Sequence, residues 1–164
     1  MGYSEIVAAI RQRLLDAMQA DLGRHYTLDR CEVFPFPNGD LLDPTYGQTL
    51  AMLIPDRETT TESLGRIVEK EAFADLIVAR RIDADVLGWQ KDQIYDDGPT
   101  VQNYLVEDVE YALFGADEDG AYWDYTALAE NIEIVAVDRS IERAVVDGWA
   151  VVFMSVRMQW EQQW

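Results

Sequence analysis

The order of periodic segments predicts an α+β fold. We expect one small domain over residues 1–164, with a mixed or antiparallel sheet of about four to five strands and two main helices packed on it. Three observations carry this. An amphipathic helix pattern opens the chain, a second stands in its middle, and the segments between and after them alternate as strands do.

Residues Ile6, Val7, Ile10, Leu14, Met18 and Leu22 recur at the three-and-four spacing of a helix with one apolar face. Ser4 is the expected N-cap and Gly23 the expected left-handed C-cap, with Arg11 and Arg13 on the outer arc. Cys31 to Phe34 has strand composition and runs into the turn-rich stretch 35–47. A long hairpin follows, from Leu50 to about Thr61 and back from about Arg66 to Ile82. Near 73–82, Leu76, Val78, Arg80 and Ile82 alternate with Ile77, Ala79 and Arg81, so the second strand is expected to be buried on much of both sides. A helix over 60–71 competes with the hairpin there. Thr59, Thr60 and Thr61 are β-branched and Gly65 interrupts any helix, so the hairpin is preferred.

Residues 83–98 form a polar connection, and Pro99 suits the first turn of the second helix. Its predicted buried stripe is Val101, Tyr104, Leu105, Val109, Ala112 and Leu113, with Glu107, Asp108 and Glu110 facing out and Gly115 ending it. An acidic loop holds Tyr122, Trp123 and Tyr125. A strand with Ile132, Ile134 and Ala136 on one side follows. Asp147-Gly148 then turns into a last strand from Trp149 to about Trp160, where Val152, Met154, Val156, Met158 and Trp160 share a face opposite Ser155, Arg157 and Gln159.

Little in the chain resembles catalytic machinery. His25 is the only histidine, which excludes a histidine relay or a multi-histidine metal site within one chain. It is expected to be solvated after the first helix. Cys31, the single cysteine, has no partner for a disulfide and reads as a small core residue. No phosphate-cradling or dinucleotide-binding glycine pattern and no nucleophile elbow is present. The loop around Gly120 fails as a calcium loop because Gly115 and Thr126 stand where end ligands belong. Acidic pairs such as Asp83/Asp85 and Asp96/Asp97 are too frequent to select one for acid–base work. No enzyme activity, cofactor or metal is expected; a small hydrolase is the remotest reading.

Thirty-one acidic residues against thirteen basic ones leave a formal charge of −18. Such a surface repels phosphate, which disfavours ordinary nucleic-acid binding. Three readings stay open: solubility, mimicry of DNA, or a wall beside which DNA moves without sticking. The opening MGYSEIVAAIRQRL lacks the sections of a secretion signal, and the late apolar run Trp149–Met154 is far short of the roughly 20 residues that span a bilayer. A cytosolic type of chain, without membrane contact, is expected.

Trp149, Trp160 and Trp164 crowd the last sixteen residues. Trp149 is expected in the core. Trp160 and Trp164, beside Arg157 and near the chain end, have the composition of an interface hot spot, with core packing the alternative for each. Thr59, Thr60, Thr61, Glu62 and Glu69 lie where the hairpin has little apolar material to bury, and join them as candidate interface residues.

The order of parts resembles the tail terminator (tail-completion, or minor tail) proteins of long-tailed phages. The helix SEIVAAIRQRLLDAM leads through FPFPNGDLLDP to the strand pair LAMLIPDRETT and EAFADLIVARRI. The helix core VEDVEYALF and the closing strand GWAVVFMSVRMQW follow. The acidic connection from Asp83 to Gly98 and the loop 116–130 have no counterpart in that pattern. The resemblance implies a non-enzymatic virion protein of the tail and neck, made in the host cytoplasm. It would form a ring, a hexamer in that family, with tail tube protein and head-completion or neck protein as partners and DNA passing through. The alternative is an acidic DNA mimic that inhibits a nucleic-acid-binding enzyme.

Overall fold

The computed structural model describes residues 2–35, 40, 42–82, 91–139, 145–146 and 148–163, with backbone alone for 91–97 and 145–146. The fold is α+β, as expected: two helices on a mixed sheet. Helix α1 spans Tyr3–Ala17 and α2 spans Lys91–Phe114. The strands are β1 (Arg30–Val33), β2 (Thr49–Leu64), β3 (Ile67–Arg81), β4 (Asn131–Asp138), β5 (Val145–Val146) and β6 (Trp149–Gln163). Their order in the sheet is β1-β2-β3-β6-β4, with β5 also paired to β6. Only β1 and β2 run parallel.

Strand alternation decides what each face buries. Ala51, Leu53, Leu76, Val78, Val152, Met154, Val156 and Met158 meet Ile6, Ile10 and Leu14 of α1 and Leu105, Val109 and Leu113 of α2 in the main core. On the opposite face Leu50, Met52, Ile54, Ile77, Ala79, Trp149 and Val151 form a second buried cluster. The two-sided burial expected near 73–82 is therefore present at that end of the sheet.

The long hairpin forms, and the competing helix over 60–71 does not. Residues Gly65-Arg66 make the turn between β2 and β3, and Gly65 has a φ of 63°. A β-branched run ahead of a glycine that accepts the left-handed region favours this outcome.

Several expectations need correction. α1 begins at Tyr3 with Gly2 at its N-cap, so Ser4 lies inside the helix. It ends at Ala17, ahead of the predicted stop. Leu22 falls instead in a 3-10 turn, Ala20–Leu22, and is exposed, while Gly23 at φ 85° caps that turn. Arg11 and Arg13 are half-buried rather than outward: Arg11 Nε donates to Cys31 O at 2.7 Å and Arg13 Nε to Ala112 O at 2.6 Å. They tie α1 to β1 and to α2.

α2 starts eight residues before the expected site and carries Pro99 inside it. An interior proline costs about 3 kcal/mol, which is why Pro99 reads as a first-turn residue. Gly98 eases the passage, since a following proline crowds the Cβ that glycine lacks. Tyr104 is half-exposed rather than buried, and Asp108 is buried rather than outward, 1% exposed. The turn cluster at 36–39, the acids Asp83 and Asp85, and Asp147 lie outside the described residues. Among those described, no helix is long and apolar enough to cross a membrane.

Asp108 has a specific task. Its Oδ1 and Oδ2 accept from the backbone N–H groups of His25 and Tyr26, each at 2.9 Å. Burial pushes its carboxyl upward, and the two donors pull it back. His25 itself stacks on Tyr104 at 3.9 Å and sits 2.7 Å from Glu107 through Nε2. The loop after α1 is thus fastened to α2. Asp108→Ala is expected to destabilise the fold by about 2 kcal/mol by orphaning two donors, measured by urea unfolding.

Candidate assembly surface

Beyond Ile54 strand β2 leaves the core, while β3 and β6 stay buried as far as Ala72 and Trp160. Pro55 is half-buried, and the nine residues from Asp56 to Leu64 are all exposed. Six of them nevertheless stay paired with β3, with register shifts between Pro55 and Glu58 and between Thr60 and Glu62. β3 in turn stays paired with β6 to its end, where Ile67 faces Gln163. A three-stranded blade results, made of the outer parts of β2, β3 and β6.

Most of the expected interface residues lie on this blade. Thr59, Thr60, Thr61 and Glu62 are exposed on its outer strand. Thr59 Oγ1 donates to Glu71 O at 3.4 Å and Thr61 Oγ1 to Glu69 O at 3.3 Å. Glu69 is exposed and stands opposite Glu62 on one side and Glu161 on the other. Three carboxylates therefore occupy one cross-strand row, an arrangement that costs stability in an isolated sheet. Lys70 pairs with Glu58 at 3.0 Å on the neighbouring row.

Arg157 and Trp160 do not join these residues as a hot spot. Three positions apart on a strand, they point to opposite faces. Arg157 is half-buried and ion-paired with Glu133 of β4. Trp160 is 2% exposed and belongs to the core under α1. Its ring stacks on Tyr3 with centroids 5.8 Å apart and planes 10° from parallel. A large flat side chain gains most where both sides are covered, and the first turn of α1 supplies that cover. Trp164 lies outside the described residues.

The missed residue is Tyr3. Its hydroxyl donates to Phe73 O at 2.6 Å and accepts from Asp56 N at 3.2 Å, so it clasps the blade at its root. Burial pushes the Tyr3 phenol up from 10.0 to about 12, the Asp56 N–H opposing and nearby carboxylates adding to the rise. Only its position one turn ahead of the apolar stripe hinted at such a role. At the far end of the blade Leu64 is 67% exposed and Ile67 37% exposed, with Arg66 between them at the apex.

Trp160→Ala is expected to cost about 3–5 kcal/mol of fold stability, as for other buried aromatic truncations, with thermal melting as the readout. The Tyr3 proton gives a second test. Between pH 10.0 and about 12 the folded chain keeps this proton and the unfolded chain releases it, so stability falls as pH rises through that window. Tyr3→Phe is expected to lose stability near neutral pH and to show a smaller further loss across this alkaline range, by urea unfolding at a series of pH values.

No protein-family model matches this sequence, and no curated protein sequence matches it.

Proposed function

We propose that this protein is a structural subunit of a long-tailed phage, a tail terminator that forms a ring, caps the finished tail tube and joins it to the neck. The observation that carries the reading is the run from Asp56 to Leu64, nine exposed residues of β2, six of them paired with β3, that bury nothing of their own. Ordering a residue costs about 1–2 kcal/mol of conformational entropy. An extended blade recovers that cost where a neighbouring subunit covers it, as a ring allows.

Charge supports the same job. Each copy brings a formal −18 to the assembly. Acidic walls repel phosphate over a screening length of about 8 Å at physiological salt, so a genome slides past them without adhering. The same charge opposes assembly of free subunits, and the end of a tail tube supplies the missing contacts.

Two measurements test the proposal. Purified protein mixed with tail tubes is expected to add a ring at one tube end in electron micrographs. Tight, salt-sensitive binding to a DNA-processing enzyme with no decoration of tubes supports the DNA-mimic reading instead. Alone in dilute low-salt buffer the chain is expected to sediment as a monomer, its mass rising as salt screens the repulsion. A stable hexamer under those conditions contradicts the role of charge in holding free copies apart.

A further inference from the structure

A cleft of about 230 Å³ opens between the C-terminal ends of α1 and α2. It is smaller than the roughly 300–1,000 Å³ of small-molecule sites and suits one or two side chains. Its apolar lining includes Ala17, Leu22 and Tyr111, the last two well exposed. Asp16, Asp117, Glu118 and Asp119 line it too. Arg13 and Arg24 also line it, but Arg13 Nε is committed to Ala112 O and the Arg24 guanidinium lies over the Tyr111 ring at 4.2 Å. Asp117 is turned to its own loop, accepting from Asp119 N and Ala121 N. The carboxylates of Glu118 and Asp119 have no cationic partner among the described residues. Apolar lining beside unbalanced carboxylates fits a cation flanked by apolar groups.

The blade tip has that composition. Arg66 stands at the apex between exposed Leu64 and Ile67, without a carboxylate partner among the described residues. The nearest carboxylates in the hairpin, Glu62 and Glu69, face each other two rungs back. Tip and cleft cannot meet within one chain. Tyr3 at the start of α1 is bonded at the blade root, while the cleft lies at the other end of that helix. Fifteen helical residues and six extended ones separate them, roughly 40 Å in all.

We infer that the β2–β3 tip of one copy seats in the cleft between α1 and α2 of the next copy, a head-to-tail contact with Arg66 held by Glu118 and Asp119. A patch that fits a different patch on the same molecule builds rings or filaments rather than two-fold dimers. The inference rests on the ring reading, and adds which two surfaces meet.

Paired cysteine substitutions in the full chain test it, since Cys31 is fully buried and does not interfere. Arg66→Cys with Glu118→Cys in one chain, oxidised at high protein concentration and physiological salt, is expected to give a covalent ladder. Each single variant stops at dimers, and mixing the two singles yields the mixed dimer. Arg66→Glu alone is expected to weaken association at least about tenfold by sedimentation, and Glu118→Arg in the same chain to restore much of it. If tubes are capped and rings form but the ladder does not, the tip-to-cleft contact is wrong and the ring reading stands. If the chain neither associates nor caps tubes, both fail. If Arg66→Glu leaves association unchanged while the ladder forms, the surfaces meet but the charge pairing is wrong.

Discussion

β3 and β6 run antiparallel over their whole lengths, with Ile67 opposite Gln163 at one end and Arg81 opposite Trp149 at the other, and no register shift between. Everything else is hung on this ladder. β2 lies along one side of it and carries β1; β4 and β5 lie along the other. Because side chains alternate, one fixed register puts Leu76, Val78, Met154 and Val156 under the helices and Ile77, Ala79 and Val151 on the opposite face. A slip by one residue would exchange the two sets. The same pair of strands also carries the blade past the core, so core and projection share a single rigid element rather than being joined by a loop.

The boundary between them is fixed by Tyr3 and Trp160. Stacked rings hold the last covered rung, and the Tyr3 hydroxyl bonds both β2 and β3 just where β2 loses its cover. Beyond that point β2 exposes an outer edge of the kind that invites unwanted strand pairing. Pro55, two register shifts and the charges Asp56, Arg57, Glu58 and Glu62 all blunt it. The threonines between keep strand preference where no packing enforces it.

The parts legible in the sequence were those where period alone decides. The stripe from Ile6 to Leu14, the hairpin, and the alternating face from Val152 to Met158 all follow from spacing. Alternation also placed Trp160 on that face, opposite Arg157; nearness to the chain end suggested exposure, and the Tyr3 ring, 157 positions away in sequence, overrode it. Asp108 was illegible for a related reason. An acid on a helix belongs outside unless donors await it, and its donors are backbone groups of a loop more than 80 residues distant. Pro99 misled because its usual cost is real, while the relief from Gly98 is local and easily passed over. Periodicity reports which way a residue points, not what arrives from elsewhere to meet it.

In a chain this acidic, cations are scarce, and where each is engaged is informative. Arg11 and Arg13 bind backbone carbonyls, Arg24, Arg30 and Arg80 lie over tyrosine rings, and Lys70 and Arg157 are paired with glutamates. Each of these holds two parts of the same chain together. Arg57 and Arg66, with Arg81 and Arg139, have no such tie among the described residues. Two of these four project on the blade, one at its apex. Like-charged copies repel over most of their surfaces, and they approach most easily where a local positive group meets a local negative one. A net acidic chain with a cation at the apex of a projecting hairpin has two consequences. On the ring reading, repulsion would keep free copies apart in random encounters, and a cation at the tip would favour approach toward an acidic hollow.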